Sequence, residues 1–208
     1  MKMRSYMAAT CILLAAVSVR ADEMNTLIDE GEKAYAARDY QKAVDIFQQV
    51  VQRLQLRIGE AIERFFPDAH KGWTAGAVEN TNWSGSSGEQ SHSFVNSTRV
   101  YTRKADGVEI TVQFCNWPMI MQGAKAGMAA YSNPMMAQML KLQGIEFKSD
   151  EKAGWIVMSI VDSKSDSTQI NAFSDRAMIL VQTQASAADA ASNYFGEIDL
   201  EGLDTALQ

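Results

Sequence analysis

The chain has 208 residues, of which 47% are apolar and 21% charged, and its formal charge is −6. That balance belongs to soluble globular chains and excludes a disordered or collagen-like protein, while the acidic surplus removes the electrostatic drive for general nucleic-acid binding. The length suits one domain, or one domain with an appendage.

The first residues change this reading. Lys2 and Arg4 precede an uncharged, mostly apolar run of 13 residues from Met7 to Val19, and Val19 and Ala21 put small residues three and one before a cut. The pattern predicts a secretory signal over residues 1–21, and the run is shorter than the roughly 20 residues that span a bilayer. Cleavage after Ala21 would leave 187 residues with a charge of −9, because Lys2, Arg4 and Arg20 leave with the signal. Of the two cysteines only Cys115 then remains, which excludes an intrachain disulfide. The expected location is the bacterial periplasm, with no nucleic-acid partner and no stable membrane anchor after cleavage.

Residues 22–67 read as a helical hairpin. Leu27, Gly31, Ala34 and Tyr35 share one side of a first helix, and Arg38-Asp39-Tyr40 makes a turn with Asp39 as N-cap. Ala43, Phe47, Val50, Leu54, Ile58, Ile62 and Phe65 then recur at three- and four-residue steps, which predicts one long helix ended by Pro67. The order Gly31, Ala34-Tyr35, Asp39-Tyr40, Ala43, Phe47, Val50 resembles one tetratricopeptide-type unit. Small Gly31 and Ala43 would let the helices approach while Tyr35, Tyr40 and Phe47 fill the space between them. Such units hold peptides when several stack; a single hairpin cannot bury its faces alone. A protein partner or self-association through these helices is therefore expected, alongside the alternative that the hairpin packs on the rest of its own chain.

Residues 68–208 read as an α+β domain with an antiparallel sheet. Gly72 to Ala75 opens a strand, and Asn80 to His92, rich in Asn, Ser and Gly, reads as a loop. Ser93–Arg103 and Val108–Phe114 read as strands joined at an Asp106-Gly107 turn, with Val108, Ile110, Val112 and Phe114 on one face. Trp117 to Gln143 reads as helix, broken near Asn133-Pro134 and closed by Gly144. Strands follow at Ile145–Asp150, Trp155–Asp162, Gln169–Phe173 and Met178–Gln184, then a helix from Ala185 to Leu207. The fold class is thus α+β, a helical hairpin followed by an antiparallel sheet flanked by helices. The element order and the opening Gly72-Trp73 are similar to the PsbP-like fold, a resemblance that implies a binding or assembly subunit.

No catalytic constellation emerges. His70 and His92 could pair with Cys115, but that cysteine follows Phe114 at the end of an alternating strand, where a thiol serves as a small buried hydrophobe. There is no nucleophile elbow, phosphate loop or dinucleotide-binding glycine set. Acidic pairs such as Asp162 with Asp166 and Glu197 with Asp199 sit at turns or on helix surfaces, and no cofactor is expected.

The unusual cluster is methionine. Met119, Met121, Met128, Met135, Met136 and Met139 are six of the nine methionines after Ala21, and Trp117 precedes them. One reading is core: Met128, Met135 and Met139 fall on one helical face, and Met is an adaptable filler between helix and sheet. A second is a groove for apolar ligands or peptides; a third is soft-metal binding, since thioethers favour Cu(I). Trp117, Met119, Met121, Met135, Met136 and Met139 are the groove or ligand candidates. The functional expectation is an exported, non-enzymatic interaction or assembly module, with Met-based copper or apolar-ligand binding as the alternative.

Overall fold

The computed structural model describes residues 23–87, 90–116, 123 and 134–207. The chain divides into two compact units, Met1–Leu54 and Gln55–Gln208, and the boundary falls inside a long helix. The expected signal over residues 1–21 lies outside the described residues.

In the first unit, helix α1 (residues 23–36) is followed by the opening turns of α2 (Tyr40–Glu63). Arg38 takes a left-handed conformation (φ 63°), which reverses the chain in a few residues. The Asp39 carboxylate accepts a hydrogen bond from the Lys42 N–H at 3.3 Å and so caps α2. Ala34, Ala43 and Ile46 pack together with Leu27. Gly31 lies against Phe47: a methyl group at Gly31 would stand 2.7 Å from the ring, so a bare backbone is needed for this approach. The burial differs from the expected stripe. Ala43, Ile46 and Val50 are buried, whereas Phe47 and Leu54 remain exposed. The hidden side of α2 is narrower than the apolar side, because a hairpin offers only one neighbouring helix.

In the second unit the remainder of α2 carries a polar seam. The Gln55 amide donates to the Ser93 hydroxyl at 2.5 Å, and a methyl group at Gly59 would stand 3.3 Å from the Asn80 side chain. The Asn80 amide donates to the Glu63 carboxylate at 3.0 Å and accepts from Ser97 at 2.6 Å. Gln55 and Ser97 are both buried, so these bonds satisfy groups that burial would otherwise penalise.

The sheet is antiparallel with eight strands: β1 (Trp73–Ala75), β2 (Glu79–Ser87), β3 (Gln90–Arg103), β4 (Glu109–Cys115), β5 (Ile145–Lys152), β6 (Trp155–Asp162), β7 (Ser167–Phe173) and β8 (Met178–Gln184). Their order is β1-β3-β4-β8-β7-β6-β5, with β2 also paired to β3. The 14-residue β3 holds β1 along one stretch and β2 along another, from Ala75↔Tyr101 to Ser87↔Gln90. Gly76 sits at the break between them and donates to the Val100 carbonyl at 2.8 Å.

The stretch Asn80–His92 corrects the expectation of a loop, since most of it is the β2–β3 hairpin. Its Asn, Ser and Gly residues disguise a strand that pairs with one neighbour at the sheet margin. The β3–β4 turn follows the expected Asp106-Gly107 pattern: Gly107 has φ +76°, and Arg103 grips Asp106 with two bonds of 2.8 Å. Ala153 (φ 53°) and Gly154 (φ 77°) make a two-residue β5–β6 turn, the positive-φ type that matches strand twist.

Alternation gives the sheet two different faces. Tyr101, Ile110, Val112, Phe114, Ile170, Ala172, Ile179 and Val181 join the main core with Ile62, Phe65, Phe66, Tyr194, Phe195 and Leu203. Cys115, Met158, Phe173 and Met178 form a smaller cluster with half-buried Phe147 and Ile160. Of the segment expected as helix from Trp117, α3 (Pro134–Leu142) is described, with Pro134 as its first residue, and Gly144 (φ +85°) follows it. The single helix expected from Ala185 is instead a 3₁₀ turn (Ala185–Ala187), α4 (Ala188–Gly196) and α5 (Leu200–Ala206). Asp199 ends the continuity, because its carboxylate accepts from the Gly202 N–H at 2.9 Å and starts a new helix.

Candidate interaction surfaces

The first surface arises from how α2 is half covered. Tyr40, Val44, Phe47 and Leu54 are exposed and Val51 is half-buried. Their spacing is four, three, four and three residues, which aligns them along one line of the helix. Tyr35 of α1 extends the line, its ring edge-on to Tyr40 at 5.7 Å. On one side the line is bordered by Gln41 and Gln48; on the other lie Ala43 and Val50, which are buried. The charged residues of this stretch, Lys42, Asp45 and Arg53, all lie away from it. Removing these side chains from water would contribute on the order of 1 kcal/mol each.

The second surface is α3. Met135 is 74% exposed, Leu142 is 82% exposed, and Met136 and Met139 are also exposed. Met135, Met139 and Leu142 are spaced four and three apart and share a face, with Met136 beside it. This corrects the core-filler reading for Met135 and Met139. The thioethers that fill space against the sheet are Met158 and Met178, which share a buried cluster with Cys115. A nine-residue helix set against β5, at the margin of the sheet, reaches little of that cluster. Trp117, Met119, Met121 and Met128 lie outside the described residues.

The titratable residues singled out in the sequence are dispersed among structural roles. His70 stacks on Tyr194 with ring centres 4.0 Å apart, and its Nε2 lies 2.9 Å from Glu197. The Tyr194 hydroxyl accepts from the His70 backbone N–H at 3.1 Å. Tyr101, fully buried, donates to the Pro67 carbonyl at 2.7 Å, and Arg99 lies over its ring at 5.6 Å. Burial pushes the Tyr101 phenol up from its ordinary 10 to about 12, with Arg99 opposing the shift. Burial raises Tyr194 as well.

This network ties the segment before β1 to α4. Cys115 belongs to the other cluster, so His70 and Cys115 are not brought together. Asp162 is held below the usual carboxylate range first by the Ser165 side chain and then by the backbone N–H groups of Lys164 and Ser165, which donate to it. Glu197 pairs with His70 while Asp199 caps α5.

Two depressions indent the second unit. One of about 540 Å³ is lined by Arg64, Phe65, Asp68, Glu197, Asp199 and Gly202, and one of about 490 Å³ includes Glu109, Thr111, Ser167 and Gln182. Both are open and mixed in polarity, and among the described residues no group of three or more His, Cys, Asp or Glu side chains is placed to hold a metal ion. Among the described residues no helix is long and apolar enough to cross a membrane.

The sequence pattern located both apolar elements, but not which side of α2 α1 would cover. The signal that could have found the exposed line was the 4-3-4-3 spacing from Tyr40. No protein-family model matches the chain, and comparisons with curated proteins and with solved structures find no match.

Proposed function

We propose that the protein is an exported, non-catalytic interaction module whose contact element is the N-terminal helical hairpin. The observation that carries this reading is the exposed apolar line Tyr40, Val44, Phe47, Leu54 on α2. The hairpin leaves about as many apolar side chains in water as it hides, which is the condition of an element completed by another chain. The expected signal over residues 1–21 supports the exported location. A photo-crosslinking residue at Val44, carried by the full chain in producing cells, tests it. Adducts are expected at Val44 and not at Gln49, on the opposite side of α2. Equal labelling of both positions, or none at either, overturns the reading.

A second reading is favoured by the exposure of three thioethers on α3. Met135 and Met139, one turn apart, could bind a soft monovalent ion such as Cu(I) or Ag(I). Titration of the purified chain with Ag(I) tests this. Binding should weaken at least tenfold when Met135 and Met139 are both changed to Leu, and unchanged binding ends the reading.

A further inference from the structure

The described methionines fall into two sets. Met135, Met136 and Met139, all on α3, are 74, 39 and 51% exposed, whereas Met24, Met158 and Met178 are 7, 4 and 9% exposed. We propose that the three thioethers of α3 form a site of reversible sulfur oxidation, at which a peroxide turns an apolar helix face polar while the fold stays intact. The inference needs neither the hairpin contact nor the soft-ion reading.

Access is the first ground. The oxidant must approach the sulfur directly, so exposure governs the rate. Met135 and Met139 share one face of α3 with Leu142, and Met136 lies beside it. The Cys115 thiol, which would compete if it were accessible, is buried with Met158, Phe173 and Met178.

Tolerance is the second ground. α3 packs against β5, and its Leu140 is half-buried while the three thioethers face water. A sulfoxide on that side adds a polar oxygen where water already solvates it. The same product at Met158 or Met178 would place an unpaired polar oxygen in an apolar cluster and weaken the fold. The chain thus exposes the sulfurs whose oxidation costs no packing and hides those whose oxidation would.

The chemistry balances. The sulfur lone pair takes one oxygen of hydrogen peroxide, the O–O bond breaks, and the second oxygen leaves with the bonding pair as water once it has received the proton. Sulfur is oxidised by two electrons and the peroxide reduced by two. Reversal consumes two thiols, which become a disulfide while the oxygen departs as water.

Peptide-resolved mass spectrometry of the purified folded chain in hydrogen peroxide tests the proposal. Met135, Met136 and Met139 should gain oxygen at least about tenfold faster than Met24, Met158 and Met178. In urea the difference should disappear, which ties it to the fold. The oxidised chain should elute earlier from a hydrophobic-interaction column and keep its melting temperature. Methionine sulfoxide reductases of both epimer specificities should restore the original elution. A variant with Met135→Leu, Met136→Leu and Met139→Leu, treated alike, assigns each change to α3. Equal rates in the folded chain, or sulfoxides on α3 that the reductases cannot remove, overturn the proposal. So does a fall in melting temperature that the variant escapes, or an elution shift that the variant shows in full.

Discussion

The Tyr101 hydroxyl donates to the Pro67 carbonyl at 2.7 Å, and this bond fastens the segment after α2 to β3, the second strand of the sheet. Tyr101→Phe keeps the ring and its packing but removes the donor. A loss of about 1–2 kcal/mol in unfolding free energy is expected by chemical denaturation.

The same residue sets an alkaline limit. Its folded-state value of about 12 exceeds the ordinary 10 of an unfolded chain, so burial of the neutral phenol favours the fold. That contribution is complete below about pH 10 and is lost as pH rises through about 12. Denaturation midpoints should therefore fall between these values in the parent protein and fall less in Tyr101→Phe. Tyr194, also raised, keeps a smaller dependence in the variant.

Asp199 and Gly202 form a testable pair at the start of α5. Asp199→Ala removes the cap and should cost about 1 kcal/mol, while Asp199→Asn should retain most of it. Gly202→Ala would ordinarily favour a helix, but its methyl group would collide with the Asp199 carboxylate and press on Phe65. It is therefore expected to destabilise, and the double variant should cost less than the sum of the two, measured by thermal unfolding.

At the β3–β4 turn, bonding to Arg103 holds Asp106 below the usual carboxylate range. A depressed carboxylate stabilises the fold above that range and loses its effect as acid protonates it. Asp106→Asn should thus lower the denaturation midpoint slightly at neutral pH, and the difference should vanish in acid. High salt should shrink the neutral-pH difference, because the pair is exposed.

The signal reading makes a mass prediction. Intact-mass measurement of the protein recovered from its native host should show a chain starting at Asp22. A full-length mass throughout would rule out cleavage after Ala21.

The regular part of this fold was legible because its physics is local. β6 and β8 are short, mostly apolar runs bounded by turns, and their predicted limits, Trp155–Asp162 and Met178–Gln184, coincide with the structure. β2 was illegible because its sequence, Glu79 to Ser87, is mostly Asn, Thr, Ser and Gly and carries no apolar alternation to mark a strand. The C-terminal helices were merged because one carboxylate, Asp199, decides between continuing and restarting, and helical spacing is blind to a single cap. For the surfaces, composition indicated which elements were apolar. It could not tell Met158 and Met178, under the sheet, from Met135 and Met139, in water, because that depends on what else is packed nearby.

The last strand in the sheet order has a consequence for the protein at high concentration. Among the described residues β5 pairs only with β6, and its sequence ends Lys148-Ser-Asp150-Glu151-Lys152. A foreign strand seeking backbone bonds there would meet a hydrated ionic fringe. In a register stack of identical molecules, each lysine and each acid would face its own kind. Edge-to-edge growth into fibrils is thereby discouraged, so the chain can tolerate a sticky helix without its sheet seeding insoluble aggregates.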